Sequence, residues 1–423
     1  MWRRVPRIIV VVVFTLLVIG GTIFAIQFAK GYRPSLQTGS LQGTGLLAAN
    51  STPRGASVLI NDKLTTATDD TLNLPPGEYK IKIQQDGYIP WEKTLTIEAE
   101  LVTQTNTRLF PSVPDLKPLT FSGAVSPTPS PNGEKMAYSV EHATTDTKNG
   151  LYVMDLADRA FPINSAPRQI ARNSGNFNFA VAQLTWSADN TQILATFNPD
   201  LPTEANILLD ANRFNDVGDW RDVTATLPVQ LNEWNNILDQ NEHDFMIQLP
   251  PTMAQIATAS ATAIYFSPDG EKMLYTATAS AQIPAGLIPT LPASSTQDEQ
   301  RTLQPGNIYV YDLKEDKNFW IAAALEPSKE KLSILQVFTN RSLPLNVQPT
   351  QWYPDSRHLI MVESEPARLV IAEYDGTNRQ TVYAGPFAQN FAFPWPDGSR
   401  LLILASLNGG GNLPPNLYSI NLK

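Results

Sequence analysis

The chain has 423 residues, of which 17% are charged, and it contains 34 prolines and no cysteine. The absence of cysteine excludes disulfides, thiolate chemistry and metal sites built on cysteine. Outside a basic first segment, residues 34–423 hold 26 basic and 40 acidic side chains. Such an acidic body repels phosphate backbones, which disfavours nucleic-acid binding.

The first predicted element is a transmembrane helix over residues 8–29, which contain no charged side chain. A helix of this length spans about 33 Å, enough to cross a bilayer. More positive charge precedes the helix than follows it, so we expect a single-pass plasma-membrane protein with a cytoplasmic N-terminus and an extracytoplasmic body. Residues 1–33 are thus the stub and anchor. A cleaved signal peptide is the alternative, although its apolar region is normally about 7–15 residues long.

A small β-domain is predicted to follow the anchor. Residues 34–45 are rich in Gly, Ser, Gln and Thr and are typical of a linker, whereas residues 46–110 alternate apolar and polar side chains. The alternation is clearest over 58–60, 79–83 and 95–97, with turn residues between these runs. Period-two alternation of this kind predicts a short antiparallel β-sandwich.

Three segments of this region resemble the PEGA domain, a small surface-associated β-module. They are PRGASV (53–58), LPPGEYKIKI (74–83) and GYIPWEKTLTI (87–97). Arg54 replaces the acid of the motif. The resemblance implies an extracytoplasmic interaction or spacer module without catalysis. Tyr79, Tyr88 and Trp91 could form a sugar platform, but filling the core of the sandwich is the simpler interpretation.

A tight polar turn recurs five times within residues 115–423. The turns are Ser130–Gly133, Ser187–Asn190, Ser267–Gly270, Tyr353–Ser356 and Trp395–Gly398. Pro presets the turn, Asp or Asn caps it, and Gly supplies a positive φ. An apolar strand follows each turn, and a third strand follows at Leu151–Asp155, Ile207–Asp210, Ile308–Asp312, Val370–Tyr374 and Leu417–Asn421.

This repeat predicts a C-terminal β-propeller and resembles the TolB-like and WD-type propellers. Five blades are visible, and a sixth could lie within 279–348, where 332–338 is a candidate strand. The last repeat lacks a fourth strand, whereas residues 117–121 look like a fourth strand with no blade before them. We expect this segment to complete the last blade and close the ring, which removes two exposed strand edges.

The long connections of the propeller all belong to two types, which emerge on the same face. They lie between strands two and three (141–149, 198–204, 279–305, 407–415) or after the fourth strand (212–260, 323–348). We expect this decorated face to point away from the membrane. Residues 229–249 have helical apolar spacing and are followed by Pro250 and Pro251, so an inserted helix is predicted. Its side chains Trp234, His243 and Phe245 are candidate binding-face residues, and burial of the apolar stripe against the propeller is the alternative.

No pattern in the sequence predicts catalysis. His142, His243 and His358 each lack a second ligand at metal-binding spacing, and there is no nucleophile elbow or phosphate loop. The carboxylate pairs Asp69–Asp70 and Glu98–Glu100 fit solvated turn positions. We therefore predict no catalytic residue, no cofactor and no metal, and a membrane-anchored binding or scaffold protein that presents its decorated face to an envelope protein or glycan.

Two other functions remain open from the sequence. A propeller-type carbohydrate-active, hydrolytic or lyase enzyme would need several acids and a histidine converging at the channel mouth. A mechanical spacer in the envelope would need no ligand at all.

Overall fold

The computed structural model describes residues 7–29, 32–34, 41–156, 166–199, 201–289, 295, 297–323, 350–388, 391–407 and 414–423. The chain divides into two compact units. The first comprises Met1–Leu109 and Thr290–Gln297, and the second comprises Phe110–Pro289 and Asp298–Lys423. Each unit has an apolar core of its own and is mainly β.

Helix α1 spans Arg7–Ala29 in the first unit, which confirms the predicted helix. Its segment Val11–Ala29 is long and apolar enough to cross a membrane, and none of that segment is buried within the protein. The hydroxyls of Thr15 and Thr22 donate to the backbone carbonyl four residues earlier, at 2.9 and 2.8 Å. Both hydroxyls are therefore satisfied without water, as an apolar surrounding requires.

The rest of the first unit consists of small sheets. A four-stranded antiparallel sheet has the order Lys63–Ala67, Ser57–Ile60, Gly77–Gln84, Trp91–Ile97. Among the other described strands, Gly45–Ala49 lies between Val102–Gln104 and Asp70–Leu74 in a three-stranded sheet. Thr107–Arg108 pairs with Ser51–Thr52, and Tyr32–Pro34 pairs with Leu41–Gly43.

This arrangement corrects two predictions. The sandwich is not purely antiparallel, because Val102–Gln104 runs parallel to Gly45–Ala49, and Thr107–Arg108 runs parallel to Ser51–Thr52. After the four-stranded sheet, the chain crosses over and adds its last two strands parallel to the early strands of the unit. An alternating pattern of side chains predicts strands but not their direction. The predicted linker 34–45 is also partly structured, since its two described ends belong to paired strands.

The alternating side chains of the first unit form its core, as predicted. Val58, Ile81 and Ile97 are buried together with Trp91, while Tyr79 and Tyr88 pack against them. The core interpretation of these aromatic residues is therefore confirmed.

The carboxylates of the first unit act in local contacts. Asp69 pairs with Arg54 at 3.1 Å. Asp70 accepts from the Thr66 hydroxyl at 2.5 Å, and Glu100 accepts from the Tyr32 hydroxyl at 2.8 Å. Each of these three carboxylates therefore has a partner within the first unit.

The described residues of the second unit form five four-stranded antiparallel sheets, called blades 1 to 5. Blade 1 consists of Val125–Pro129, Lys135–Val140, Gly150–Asp155 and Arg168–Arg172, and blade 2 consists of Gln183–Trp186, Gln192–Phe197, Ala205–Asp210 and Arg221–Asp222. Blade 3 consists of Ala261–Phe266, Lys272–Ala277, Asn307–Asp312 and Lys317–Ala323, and blade 4 consists of Thr350–Trp352, His358–Ser364, Ala367–Glu373 and Gln380–Ala384. Blade 5 consists of Ala392–Pro394, Arg400–Ala405, Asn416–Asn421 and Leu116–Pro118. In addition, the short strands Ala281–Gln282 and Thr302–Leu303 pair with each other in an antiparallel sense.

The fourth strand of blade 5 comes from the start of the unit. Leu116 pairs with Ile420, and Pro118 pairs with Tyr418. The predicted pairing is confirmed, although the strand ends at Pro118 rather than at residue 121. The candidate strand of a sixth blade, 332–338, lies outside the described residues.

The blades have two edges, which carry different types of connection. The turn edge carries the turns that join strand one to two and strand three to four. The loop edge carries the connections between strands two and three and between successive blades. Because neighbouring strands are antiparallel, each connection type stays on one edge in all five blades.

The repeated turns are structural, as predicted. In blades 1 to 3 a serine hydroxyl donates to the Asn or Asp two residues later, for example Ser267 to Asp269 at 2.5 Å. The same serine oxygen accepts from a backbone amide five residues ahead, such as that of Lys272 at 3.0 Å. Each turn thereby holds the start of its second strand.

Two helices lie between blades 2 and 3 in the chain. Helix α2 spans Leu227–Met246, close to the predicted 229–249. Helix α3 spans Pro251–Ser260 and was not predicted, because Pro250 and Pro251 were interpreted as a stop only. Proline also fits the first turn of a helix, where its missing N–H costs nothing, so the same residues separate two helices.

Candidate binding surface

The structure does not bring the three predicted binding-face residues together on one surface. Trp234 is only 4% exposed and packs with Leu231 against blade 2. His243 is exposed, whereas Phe245 is half-buried and stacks on Phe266 with the ring centroids 5.0 Å apart. The burial of Trp234 favours the alternative in which α2 packs its apolar stripe against the propeller.

The predicted connection 279–305 also leaves the predicted face. Ile283 and Leu303 are buried beside blade 3, and the Leu287 amide donates to Asp316 at 2.8 Å. Asp316 lies in the turn between strands three and four, at the turn edge. The guanidinium of Arg301 donates to the carbonyl of Pro284 at 2.6 Å and pairs with Asp316 at 3.4 Å.

The expectation that 279–305 decorates the loop edge is therefore wrong for its described residues. The physical reason is burial, since the insertion covers apolar side chains by folding back along the blade. The predicted connections 323–348 and 407–415 lie largely outside the described residues.

Several apolar side chains in the described connections of the loop edge are exposed. Phe121 is 83% exposed, and Val181, Leu201 and Val229 are each more than half exposed. Leu407 is 39% exposed. Every one of these residues lies in a connection at the loop edge or in the first turn of α2, which leaves that edge. Phe121 is the most exposed phenylalanine among the described residues, although apolar side chains away from this edge, such as Val113 and Val217, are exposed as well.

A rigid backbone holds Phe121 in this position. The hydroxyl of Thr120 accepts from the Leu417 amide at 2.9 Å and donates to the Asn416 carboxamide at 3.0 Å. The same carboxamide oxygen accepts from the Gly123 amide at 3.0 Å. Gly123 has φ +82°, and a Cβ there would lie 2.3 Å from Pro414, so only glycine fits. The residues on both sides of Phe121 are thus fixed.

A small cleft lies beside Phe121, at the loop edge where blades 5 and 1 meet. Its volume is about 70 Å³, and its walls are Phe121, Ser122, Gly123, His142, Ser406, Leu407, Pro414 and Asn416. Small-molecule sites usually enclose about 300–1,000 Å³. The cleft therefore suits one inserted side chain better than a whole metabolite.

The loop edge of blades 1 and 2 has a small excess of acidic side chains. Glu141, Asp146, Glu204 and Asp222 lie in its described connections and strand ends, together with the basic residues Lys148, Arg172 and Arg221. Hydrogen bonds from the Thr224 hydroxyl and backbone lower the pKa of Asp222, which keeps this carboxyl charged at neutral pH. An acidic edge attracts basic partners and repels anionic ones.

Register places these charges near the exposed aliphatic residues. Gln183 pairs with Thr196 and Thr196 pairs with Asn206 across blade 2. The Val223 amide donates to the Asn206 carbonyl at 2.8 Å, which extends this row to the start of the helical insertion. Val181 and Leu201 each lie within five residues of the row in the chain, so they share this end of the blade.

The histidines give no sign of a metal centre in the described residues. His358 is buried, and its Nδ1 lies 2.8 Å from Asp355 in the turn of blade 4. His142 is exposed with Glu141 at 3.9 Å. No group of three or more His, Asp or Glu that could hold a metal occurs in the described parts of the chain. His358 is accordingly a structural residue with a partner in its own turn.

Sequence reasoning missed Phe121 and Leu407. The predicted fourth strand 117–121 ends at Phe121, and an aromatic side chain in a strand normally packs. A signal was available in Ser122-Gly123, which follow directly and are typical of a turn rather than of a strand. The exposed position of Leu407 depends on distant segments and has no local signal.

Comparison with known families decides the nature of the first unit. The model of the PEGA domain matches residues 44–112. The chain carries a PEGA domain. Its bounds extend the predicted 46–110 by two residues on each side. No curated protein matches the chain.

Several solved structures are similar to the chain at low levels. A putative TolB from Agrobacterium tumefaciens is 12% identical with a TM-score of 0.22, and the match covers 70% of this chain and 78% of that protein. TolB from Acinetobacter baumannii is 11% identical with a TM-score of 0.24, and the match covers 82% of this chain and 60% of that protein. Oligogalacturonate lyase from Vibrio parahaemolyticus is 10% identical with a TM-score of 0.25, and the match covers 81% of this chain and 86% of that protein. Values this low carry no argument about function, and the blades rest on their strand pairing.

Proposed function

We propose that this PEGA-domain protein is a membrane-anchored extracytoplasmic scaffold whose propeller binds a protein partner at the loop edge. The observation that carries the proposal is Phe121, a largely exposed aromatic side chain on a backbone fixed from both sides. Ordering a flexible loop on binding costs free energy, and a fixed loop avoids that cost. Rigid aromatic residues beside a small cleft are typical anchors of protein interfaces.

The other exposed side chains favour a protein over a glycan. Glycan platforms stack sugars on exposed aromatic rings, whereas Val181, Leu201, Val229 and Leu407 are aliphatic. The acidic residues among them favour a partner segment with lysine or arginine beside apolar side chains. Association should therefore weaken as salt concentration rises.

The anchor and the ring complete the proposal. Helix α1 would cross the plasma membrane with its N-terminal end in the cytoplasm, because more positive charge lies on that side. The five blades would form a closed ring through the strand Leu116–Pro118 and the apolar cluster that joins blades 5 and 1. A closed ring makes a stable base for the loop edge.

Substitution of Phe121 tests the proposal. The full-length protein in detergent, immobilised, is incubated with envelope extract, and bound proteins and glycans are quantified. Phe121→Ser should reduce capture of a specific protein about tenfold, the effect of losing an interface anchor. Val217→Ser is the matched control, because Val217 is an exposed aliphatic residue at the turn edge.

Each outcome has a defined meaning. Capture that is lost with Phe121→Ser, retained with Val217→Ser and reduced by salt supports the proposal. Equal capture by the two variants would show that the loop edge is not the site. Capture of glycan alone would replace the proposed partner class.

A further inference from the structure

At four of the five blade junctions, neighbouring sheets pack directly against each other. Between blades 4 and 5, for example, Ile360 and Ile371 are buried against Leu401 and Ile403. The junctions of blades 1 and 2, 3 and 4, and 5 and 1 are built in the same way. Each of these interfaces is a dense apolar layer, which resists deformation.

Contacts at the turn edge reinforce these junctions. The Asn132 amide in blade 1 donates to Asn190 in blade 2 at 2.8 Å, and the Asp269 amide in blade 3 donates to Ser356 in blade 4 at 3.0 Å. The Tyr353 hydroxyl in blade 4 donates to the Gly398 carbonyl in blade 5. Such bonds link one repeated turn to the next.

Indole side chains add a second link at two of these junctions. Trp186 of blade 2 donates to the Thr128 carbonyl of blade 1 at 2.9 Å. Trp352 of blade 4 donates to the Tyr265 carbonyl of blade 3 at 3.1 Å. Each tryptophan directly precedes its repeated turn.

The junction of blades 2 and 3 is built differently. Leu194 and Leu208 of blade 2 are covered by α2, whereas Met273 and Tyr275 of blade 3 are covered by Leu249 and by α3. Within the described residues, no apolar cluster contains side chains of both sheets. The two helices therefore separate these sheets.

At this junction, a contact with helix α2 takes the place of the contact that links neighbouring sheets elsewhere. Phe266 directly precedes its turn, as Trp186 and Trp352 do in theirs, but it stacks on Phe245 of α2 instead of a neighbouring sheet. The next glycine, Gly270, also faces Phe245, since a Cβ there would lie 3.1 Å from the phenyl ring. The helix occupies the place that a neighbouring blade takes elsewhere.

Helix α2 has little stability of its own. Its first turn has no acidic residue, and no side chain caps its N-terminus. Asp239 and Asp244 lie in its second half, where the helix dipole disfavours negative charge. Asparagine recurs along it and has low helix propensity. The helix therefore depends on the packing of a few side chains, chiefly Leu231 and Trp234.

We propose that α2 and α3 form a helical wedge at which the ring of blades opens and closes, while the other four junctions stay fixed. The wedge interface is divided into two smaller clusters, so relative motion of blades 2 and 3 disturbs helix packing and breaks no sheet-to-sheet layer. Elements of low local stability are where proteins open. This device is independent of the proposed partner binding.

Distances between paired spin labels test the wedge. The chain has no cysteine, so labelled cysteines can be introduced without background. Val217→Cys with Pro268→Cys spans blades 2 and 3 at the turn edge, and Pro268→Cys with Arg357→Cys spans blades 3 and 4 as the matched control. All three positions are exposed, and the shared label at Pro268 cancels much of the local label motion. Pulsed electron paramagnetic resonance on the full-length protein gives the width of each distance distribution.

The wedge predicts that the distribution across blades 2 and 3 is at least twofold wider than the control distribution. Trp234→Ala should widen the first distribution further and leave the control unchanged. Equal widths for the two pairs in the unmutated background would overturn the proposal, whether or not Trp234→Ala folds. A Trp234→Ala protein that folds and widens both distributions equally would also overturn it, because the ring would then loosen everywhere.

Discussion

The carboxyl groups of the repeated turns keep their charge because hydroxyls and amides surround them. Burial raises the pKa of Asp189 and of Asp269, but bonds from Ser187, Thr191 and Ser267 outweigh it and lower both values. The pKa of Asp397 falls to about 2 because Lys423 and Ser399 outweigh burial in the same way. These carboxylates therefore stabilise the turns in their ionised form.

Replacement of Asp397 should change stability in a pH-dependent way. A carboxyl with a lowered folded-state pKa stabilises the protein above its unfolded pKa of about 3.9, and this stability is lost as the pH falls towards 2. Asp397→Asn should lower the free energy of unfolding by about 1 kcal/mol at pH 7, because solvent screens a partly exposed group. Urea unfolding at pH 7, 4 and 2 measures the difference, which should fall to less than half of its pH 7 value near pH 2, where the folded-state carboxyl is about half protonated. A difference that persists unchanged at pH 2 would refute this role.

At the scale of elements, the strand Leu116–Pro118 joins the two ends of the second unit. It pairs with Asn416–Asn421, and Thr120 and Gly123 extend the contact through the Asn416 carboxamide. Without this strand, the outer edge of blade 5 would be unpaired.

Deletion of residues 115–122 should therefore lower the melting temperature, by roughly 5–10 °C for a loss of a few kcal/mol. Thr120→Val is the milder companion, because it keeps the strand and removes only the hydroxyl bonds, at a cost of about 1–2 kcal/mol. Differential scanning calorimetry compares the two variants with the unmutated protein. An unchanged melt after the deletion would show that the strand does not hold the ring.

Local patterns predicted most elements and, through the missing fourth strand of the last repeat, one long-range pairing, but they did not predict where the insertions pack. Pro, Asp and Gly fix each turn within four residues, and apolar alternation marks strands such as 58–60 directly. The destination of an insertion depends on distant side chains. Arg301 pairs with Asp316, and Trp234 packs in one cluster with Leu208, so these contacts join separate elements and neither the packing of the helices nor the folded-back insertion had a local signal. The exposure of Phe121 did have one, because Ser122-Gly123 is typical of a turn.

The whole molecule combines an apolar helix, a PEGA domain and a propeller, and we propose that the loop edge of the propeller is its docking surface. A photoreactive amino acid at Phe121 of the full-length protein, irradiated in intact cells, tests this proposal most directly. Lys314, exposed at the turn edge, is the control position. We expect a cross-linked protein adduct from position 121 and none from position 314. Adducts from position 314 alone, or from neither position, would contradict it.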